Sequence, residues 1–80
     1  MTVKYIYSKD LSANERIVMM HLTLKADENN SIQIGIDSMV NDLSIGETAI
    51  KRVLKDLVSK GYLNRKRVGL GNPNIYTIIK

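Results

Sequence analysis

The chain has 80 residues, of which 44% are hydrophobic and 25% charged, the size and composition of one small globular domain. No apolar run approaches the roughly 18 residues that a membrane span needs, and no signal-peptide pattern opens the chain. The chain has no cysteine, and therefore no disulfide framework, which is compatible with a reducing compartment. We therefore expect a cytoplasmic protein without a membrane partner.

The net charge of +4 is concentrated in the second half of the chain. Residues 41–80 contain eight of the 12 lysines and arginines but only three of the eight aspartates and glutamates. A basic half on a small domain indicates a polyanionic partner. The alternative is an ordinary solvated surface that is rich in lysine.

The first 25 residues predict a strand followed by a helix. Residues 3–7 are β-branched and aromatic, which favours a short strand. Ser12 and Glu15 have the spacing of a capping box, which predicts a helix from Ala13 to about Lys25. The breadth of its apolar stripe predicts packing on more than one side. That stripe comprises Ala13, Ile17, Val18, Met20, Leu22 and Leu24.

Residues 31–63 predict a short strand and two closely joined helices. The strand covers residues 31–34 and ends at Gly35. Asp37 is a plausible N-cap for a helix of about two turns that buries Met39, Val40 and Leu43. After a break at residues 43–46, a longer helix ends at Lys60. Gly61 is predicted to be the left-handed residue beyond that end, followed by Tyr62 packing back on Leu57.

The longer helix has one apolar and one basic face. At about 100° per residue, one half of its circumference carries Ala49, Ile50, Val53, Leu54, Leu57 and Val58. The opposite half carries Thr48, Arg52, Lys55 and Ser59, with Lys51 on its flank. Arginine can form two hydrogen bonds with a guanine edge, and lysine or threonine can contact base edges or phosphates. The alternative is a solvated helix face, in which Lys51 pairs with Glu47 four residues earlier.

The end of the chain predicts a β-hairpin. Residues 62–68 and 75–79 favour strands, and residues 69–74 form a loop that contains glycine and proline. Arg65, Lys66 and Arg67 follow one another along the first strand. Because side chains alternate between the two faces of a strand, these three cannot all face the same way, and we expect Lys66 to face elsewhere.

The apolar pattern resembles a known DNA-binding fold. The spacing Met39-Val40-x-x-Leu43-x-Ile45, continued at helical intervals to Gly61-Tyr62-Leu63, is similar to that of winged helix-turn-helix domains. The segments LSANERIVMMHL and Asn74-x-Tyr76 resemble more closely the domains of bacterial plasmid and phage replication and partition proteins. The resemblance covers about residues 11–79, and it departs from the family at the turn. At the turn the family often has glycine in the position of Ser44 and a capping serine in the position of Gly46. It often has arginine in the positions of Glu47 and Thr48.

This resemblance implies an α+β fold with three helices, a small antiparallel sheet and a C-terminal hairpin wing. We expect one domain over residues 1–80, with an N-terminal strand or arm at 1–10, the helix-turn-helix at 36–60 and the wing at 62–79. In such domains the second helix of the motif enters the major groove and the wing contacts an adjacent groove or the backbone. Carried over by position, the groove-facing residues are Thr48, Lys51, Arg52 and Lys55, and the phosphate contacts are Arg65, Lys66 and Arg67.

No catalytic or metal-binding pattern competes with this interpretation. His21 is the single histidine, and no serine–histidine–acid grouping is evident. The Gly69-Leu70-Gly71 segment lacks the lysine, the serine or threonine and the following helix of a phosphate-binding loop. We therefore expect no cofactor, no metal and no enzymatic activity.

The predicted function is sequence-specific binding of double-stranded DNA by a homodimer that recognises repeated or palindromic sites. Residues 3–7 form either an extra edge strand or a dimer contact, and the first helix is a second candidate for that contact. The predicted role is that of a small repressor or a centromere-binding adaptor in plasmid or phage partition, with a partition or replication protein as a further partner. The alternatives are the N-terminal DNA-binding domain of a replication initiator and a winged helix that binds another protein.

Overall fold

The computed structural model describes Tyr5 and residues 8–80. In that part of the chain the helices are α1 (Ala13–Lys25), α2 (Ile36–Leu43) and α3 (Glu47–Ser59), and the strands are β1 (Ser31–Gln33), β2 (Leu63–Lys66) and β3 (Ile75–Ile78). The strands form one antiparallel sheet in the order β1-β3-β2. This order of elements confirms the predicted α+β winged helix-turn-helix fold. No helix among these residues is long and apolar enough to cross a membrane.

The hydrophobic core is organised around α3, which packs against α1, α2 and β2. Four side chains of α3 are buried, and they meet buried side chains from α1, α2, β2 and β3. The α3 members of this core are Ile50, Val53, Leu54 and Leu57. Because α3 supplies so much of the core on one side, its opposite side remains at the surface.

The start of α1 confirms the predicted capping box. The Ser12 hydroxyl accepts a hydrogen bond from the Glu15 amide at 3.2 Å, and the Glu15 carboxylate accepts one from the Ser12 amide at 2.7 Å. The predicted packing on more than one side is wrong for the outer part of the stripe. Ile17 is 39% exposed and Leu24 63% exposed, whereas the side chains that α1 buries are Glu15, Val18, Met19, His21 and Leu22.

The predicted N-cap of α2 is also wrong. The helix begins at Ile36, its N-cap is Gly35, and Asp37 lies within the first turn. The reason is that the Met39 amide donates to the Gly35 carbonyl at 3.4 Å, so the hydrogen-bonded ladder starts two residues earlier. Asp37 still lies at the positive end of the helix dipole.

The turn between α2 and α3 contains a serine where the backbone is left-handed. Ser44 has φ 56° and ψ 34° and ends α2, with its amide donating to the Val40 carbonyl at 2.9 Å. Gly46 is the N-cap of α3 in an extended conformation and offers no side-chain cap. Glycine is the residue preferred at a left-handed position such as that of Ser44, and serine is preferred at an N-cap such as that of Gly46. In this chain the two residues stand in each other's preferred place.

Replacing Gly46 by serine is expected to raise the free energy of unfolding by about 0.5–1 kcal/mol. The Gly46 backbone, with φ −62° and ψ 154°, suits serine, and an added Cβ has no neighbour within 4 Å. The serine hydroxyl can accept a hydrogen bond from a backbone amide in the first turn of α3. Serine also has fewer conformations than glycine in the unfolded chain, so less entropy is lost on folding. Urea unfolding measures the change. The matched control is Gly61→Ser, which places the same side chain at φ 81° and should lower stability; a loss from Gly46→Ser as well would contradict this account.

The end of α3 forms the predicted glycine cap. The Gly61 amide donates to the Val58 carbonyl at 3.1 Å, and the Tyr62 amide donates to the Leu57 carbonyl at 3.0 Å. These two hydrogen bonds, with a left-handed Gly61, constitute a Schellman motif. They reverse the chain from α3 into β2 and bury Tyr62.

The hairpin strands are shorter than predicted. β2 ends at Lys66 instead of residue 68, and β3 ends at Ile78 instead of residue 79. β1 ends at Gln33 instead of residue 34, although the Ile34 amide still donates to the Asn74 carbonyl at 3.3 Å in the register of the β1–β3 pairing.

The predicted strand at residues 3–7 lies outside the described residues, apart from Tyr5. At Tyr5 the prediction is wrong, because this residue has 3₁₀ instead of strand geometry. The Tyr5 carbonyl accepts a hydrogen bond from the Ser8 amide at 3.3 Å. The Tyr5 side chain is buried and meets the Tyr62 ring edge-on with centroids 6.2 Å apart. Its hydroxyl donates to the Lys80 carbonyl, which links the two ends of the chain. This side chain therefore belongs to the core of its own chain.

Candidate nucleic-acid interface

The polar face of α3 lies at the surface along its whole length. The side opposite the core carries the exposed residues Thr48, Lys51, Arg52, Lys55 and Ser59. Thr48, Arg52 and Lys55 are spaced by four and three residues, so they lie one above the other on that face. At 1.5 Å per residue this stripe is about 10 Å long. The predicted separation of α3 into an apolar and a basic face is confirmed.

A carboxylate neutralises part of this face at its N-terminal end. Lys51 Nζ lies 2.9 Å from Glu47 Oε2, and both side chains are more than half exposed. An exposed pair of this spacing contributes little to stability, and a phosphate could replace the carboxylate as partner of Lys51. Within the described part of the chain, Arg52 and Lys55 form no ion pair. Their charges are therefore directed to solvent or to a ligand.

The hairpin separates its basic residues by strand register. Arg65 lies opposite the buried Tyr76, so these two side chains share the face of the sheet that is turned to the helices. Lys66 lies opposite Ile75, on the other face. The predicted divergence of Lys66 from Arg65 therefore agrees with the pairing. Arg67 follows the end of β2, and all three cations are exposed and unpaired among the described residues.

The tip of the hairpin presents a leucine that the sequence pattern did not single out. Gly71 has φ 79°, and the Asn72 amide donates to the Gly69 carbonyl at 3.2 Å, which closes a tight turn. Leu70 lies in this turn with its side chain fully exposed. Arg67 and Asn74 flank the same turn and line a shallow, open cleft beside it.

Lys60 does not belong to the free basic face. Its ammonium lies 2.9 Å from Glu15 Oε1 and donates to the Asp10 carbonyl at 2.6 Å. This hydrogen bond to Glu15 raises the pKa of Lys60. Burial raises the pKa of Glu15, but the hydrogen bonds from Lys60 and from the Ser12 amide outweigh it and leave that pKa below its ordinary value. The pair ties the end of α3 to the start of α1.

His21 has a structural place between α1 and α2. Its Nε2 lies 2.9 Å from Asp42 Oδ2, which also accepts from Lys25 at 2.7 Å. The hydrogen bond from Lys25 has the largest effect on the pKa of Asp42, and together with the one from His21 it lowers that pKa. Among the described residues, no three histidine, cysteine, aspartate or glutamate side chains are grouped closely enough to hold a metal ion. The sequence signal for this contact was only a lone histidine in an apolar helix.

Comparison with known proteins places this arrangement in a family. A family model described as "Helix-turn-helix domain" matches residues 9–63. The chain is similar to the solved structure "N-Terminal domain of DNA binding protein", with a TM-score of 0.69 and 25% identity over 90% of this chain and 63% of that one, and thus spans less than two thirds of it. It also shares the fold of "Structure of Rep-DNA complex", with a TM-score of 0.72 and 22% identity over 99% of this chain and 73% of that one. No curated protein matches the chain. The chain belongs to the helix-turn-helix domain family.

Proposed function

We propose that this domain binds double-stranded DNA and recognises a specific sequence. The observation that carries the proposal is the exposed α3 stripe of Thr48, Arg52 and Lys55, which immediately follows the turn of the helix-turn-helix. Its arginine and lysine are free of ion pairs within the described residues, so binding DNA would not require breaking a contact of the fold. The similarity to a structure described as the N-terminal domain of a DNA-binding protein supports the same function.

The proposed division of labour follows from side-chain chemistry. α3 would lie in the major groove, where Arg52 can form two hydrogen bonds with guanine and Thr48 can contact a base edge or a phosphate. Lys51 and Lys55 would contact phosphates beside the groove. The wing residues Arg65, Lys66 and Arg67 would contact the backbone on both sides of the hairpin. Glu47, the first residue of α3, is negatively charged and therefore limits the number of base contacts near the start of the helix. Specificity then also depends on DNA shape and on repeated contacts.

Repeated contacts would come from a homodimer on a palindromic or repeated site. One domain of this size reads few base pairs, and a second copy doubles the contacts. The exposed Ile17 and Leu24 on α1 offer an apolar surface for that contact. Sedimentation equilibrium with and without DNA measures the stoichiometry. A single monomer bound to a site without internal repeats would contradict the dimer.

The proposed biological role is that of a small repressor or a plasmid or phage partition adaptor, which acts by occupying DNA and recruiting a partition or replication protein. No catalytic activity is proposed. The N-terminal DNA-binding domain of a replication initiator is the second candidate, supported by the shared fold with a Rep protein solved in complex with DNA. The location of the bound sites separates these roles, since a repressor occupies promoters and an initiator occupies a replication origin.

Selection of bound sequences from a random duplex pool tests the function itself. We expect enrichment of a motif that occurs twice, with the centres of its halves about one or two helical turns apart. A lack of enrichment together with no duplex binding at low salt would overturn the proposal. It would favour the alternative in which α3 contacts a partner protein.

Replacing Arg52 by alanine is expected to weaken binding to the selected duplex by about 10- to 100-fold, because a bidentate contact with guanine is worth about 1–3 kcal/mol. Binding to a random-sequence duplex should change much less. The matched control is Arg67→Ala, which removes a phosphate contact and should weaken binding to both duplexes alike. Fluorescence anisotropy with both duplexes measures the difference. Equal losses on the two duplexes for Arg52→Ala would remove Arg52 from the base-reading residues.

A further inference from the structure

The wing carries its most exposed hydrophobic side chain at its outermost turn. Leu70 has a relative exposure of 103%, and Val68, on the same hairpin, is 44% exposed. Leu70 lies between two glycines of positive φ, so the backbone on either side is bare and can approach a surface closely. A leucine held in water in this way makes no contribution to the core of its own domain.

The sequence of the hairpin that carries Leu70 is positively charged and contains no acidic residue. Residues 57–80 include five lysines and arginines and no aspartate or glutamate. Three of these cations precede the turn directly, at Arg65, Lys66 and Arg67. An apolar tip on a purely cationic hairpin matches a surface that combines phosphate charge with apolar sugar and base faces. The minor groove of DNA has that character.

We propose that Leu70 is an apolar wedge, which the wing inserts into the minor groove of the bound duplex against the base steps. The inference rests on the proposed function and adds a residue that determines specificity. An inserted leucine partly unstacks a base step and bends the duplex. Binding would then depend on how easily the step beneath the wing deforms, with pyrimidine–purine steps such as TA preferred. The cations of the hairpin would hold the flanking phosphates while Leu70 contacts the bases.

The central experiment compares Leu70→Ala with wild type on the duplex selected by the wild-type protein. We expect affinity to fall about 10-fold through lost apolar burial. The slope of log K against log salt should stay unchanged, because no charge is removed. Leu70→Met should restore most of the affinity, since methionine conserves apolar volume. The matched control is Val68→Ala on the same hairpin, which should have less than a third of the effect.

A fluorescent base reports on insertion directly. 2-Aminopurine placed at successive positions on either side of the major-groove motif should brighten at one step when wild-type protein binds, because unstacking relieves its quenching. Leu70→Ala should abolish that increase. Replacing the thymines by uracil removes only methyl groups in the major groove and should leave the effect of Leu70→Ala unchanged.

The outcomes distinguish failure of the wedge from failure of DNA binding. Wild-type protein that binds no duplex at low salt would overturn the proposed function, and the wedge with it. Normal affinity and normal 2-aminopurine brightening with Leu70→Ala would overturn the wedge and leave DNA binding intact. Loss of the Leu70 effect on uracil-containing duplex would assign Leu70 to thymine methyls in the major groove instead. A change in sedimentation without a change in 2-aminopurine signal would assign it to contact between two copies of the chain.

Discussion

Raising the salt concentration from about 50 to about 200 mM is expected to weaken duplex binding by about two to three orders of magnitude for one protomer. Each phosphate that the protein neutralises releases condensed counterions and adds about −0.9 to the slope of log K against log salt. Four exposed cations on α3 and the hairpin are assigned to phosphates and form no ion pair among the described residues. They are Lys55, Arg65, Lys66 and Arg67. These four contacts, with a partial one from Lys51 in competition with Glu47, predict a slope of about −4.

Anisotropy titrations at four or more salt concentrations measure this slope, and variants assign it. Lys66→Ala should reduce its magnitude by about 1, whereas Lys25→Gln on α1 should not change it. Glu47→Gln should make the slope steeper, because Lys51 loses its carboxylate partner at 2.9 Å and can contact a phosphate. A homodimer should roughly double the slope per complex. A slope near zero would contradict electrostatic binding through these residues and favour a protein partner.

The features of the fold that depend on neighbouring residues could be predicted from the sequence. The capping box at Ser12 and Glu15 and the glycine cap at Gly61 satisfy backbone groups within six residues of themselves. The two faces of α3 follow from helical periodicity alone. These features need no knowledge of how the helices pack.

The predictions that the structure contradicts concern features that depend on distant parts of the chain. Periodicity alone could not choose which side of α1 faces the core, and packing against α3 left Ile17 and Leu24 exposed. The first turn of α2 was misplaced because Gly35 accepts the first hydrogen bond without any side-chain cap. The sequence pattern predicts Lys60 only as the end of the longer helix, but its partner Glu15 is 45 residues away. No local pattern marks such a pair.

The candidate site divides in the same way. Helical spacing predicts the exposed stripe on α3. The alternation of side chains along a strand predicts that Arg65 and Lys66 lie on opposite faces of the sheet. The prominence of Leu70 was not predicted, because the sequence shows only a glycine-bearing loop and the closing hydrogen bond from Asn72 to Gly69 determines which residue lies outermost.

Replacing Glu15 by alanine is expected to lower the free energy of unfolding by about 2–4 kcal/mol, a large part of the stability of a domain of this size. The Glu15 side chain is 4% exposed, and its Oε1 accepts from the Ser12 amide at 2.7 Å and from Lys60 at 2.9 Å. Alanine removes a helix cap worth about 1 kcal/mol and a charge-assisted hydrogen bond worth about 1.5–3 kcal/mol. The Lys60 side chain is 38% exposed, so its ammonium can move into water, which limits the loss.

Glu15→Gln separates the charge from the cap, because the amide oxygen can still accept from the Ser12 amide. The folded-state pKa of Glu15 lies below its ordinary value of 4.5, so its ionic contribution is present above that pH and is lost as pH falls through the folded pKa. Urea unfolding between about pH 7 and pH 2.5 should therefore show a weaker acid dependence for Glu15→Gln than for wild type. Part of the dependence should remain, because the pKa of Asp42 is also lowered.

The matched control for Glu15 is Glu28→Gln in the exposed turn after α1, which should leave stability at neutral pH nearly unchanged. A double-mutant cycle with Lys60→Met measures the coupling between the two charges, which should disappear together with the extra acid dependence. If Glu15→Gln has the wild-type acid profile, the ion pair between α1 and α3 does not contribute to stability and Glu15 acts only as a helix cap. If it has a flatter profile, the same contact fixes the C-terminal end of α3 to α1 and thereby holds the proposed DNA-reading stripe in position.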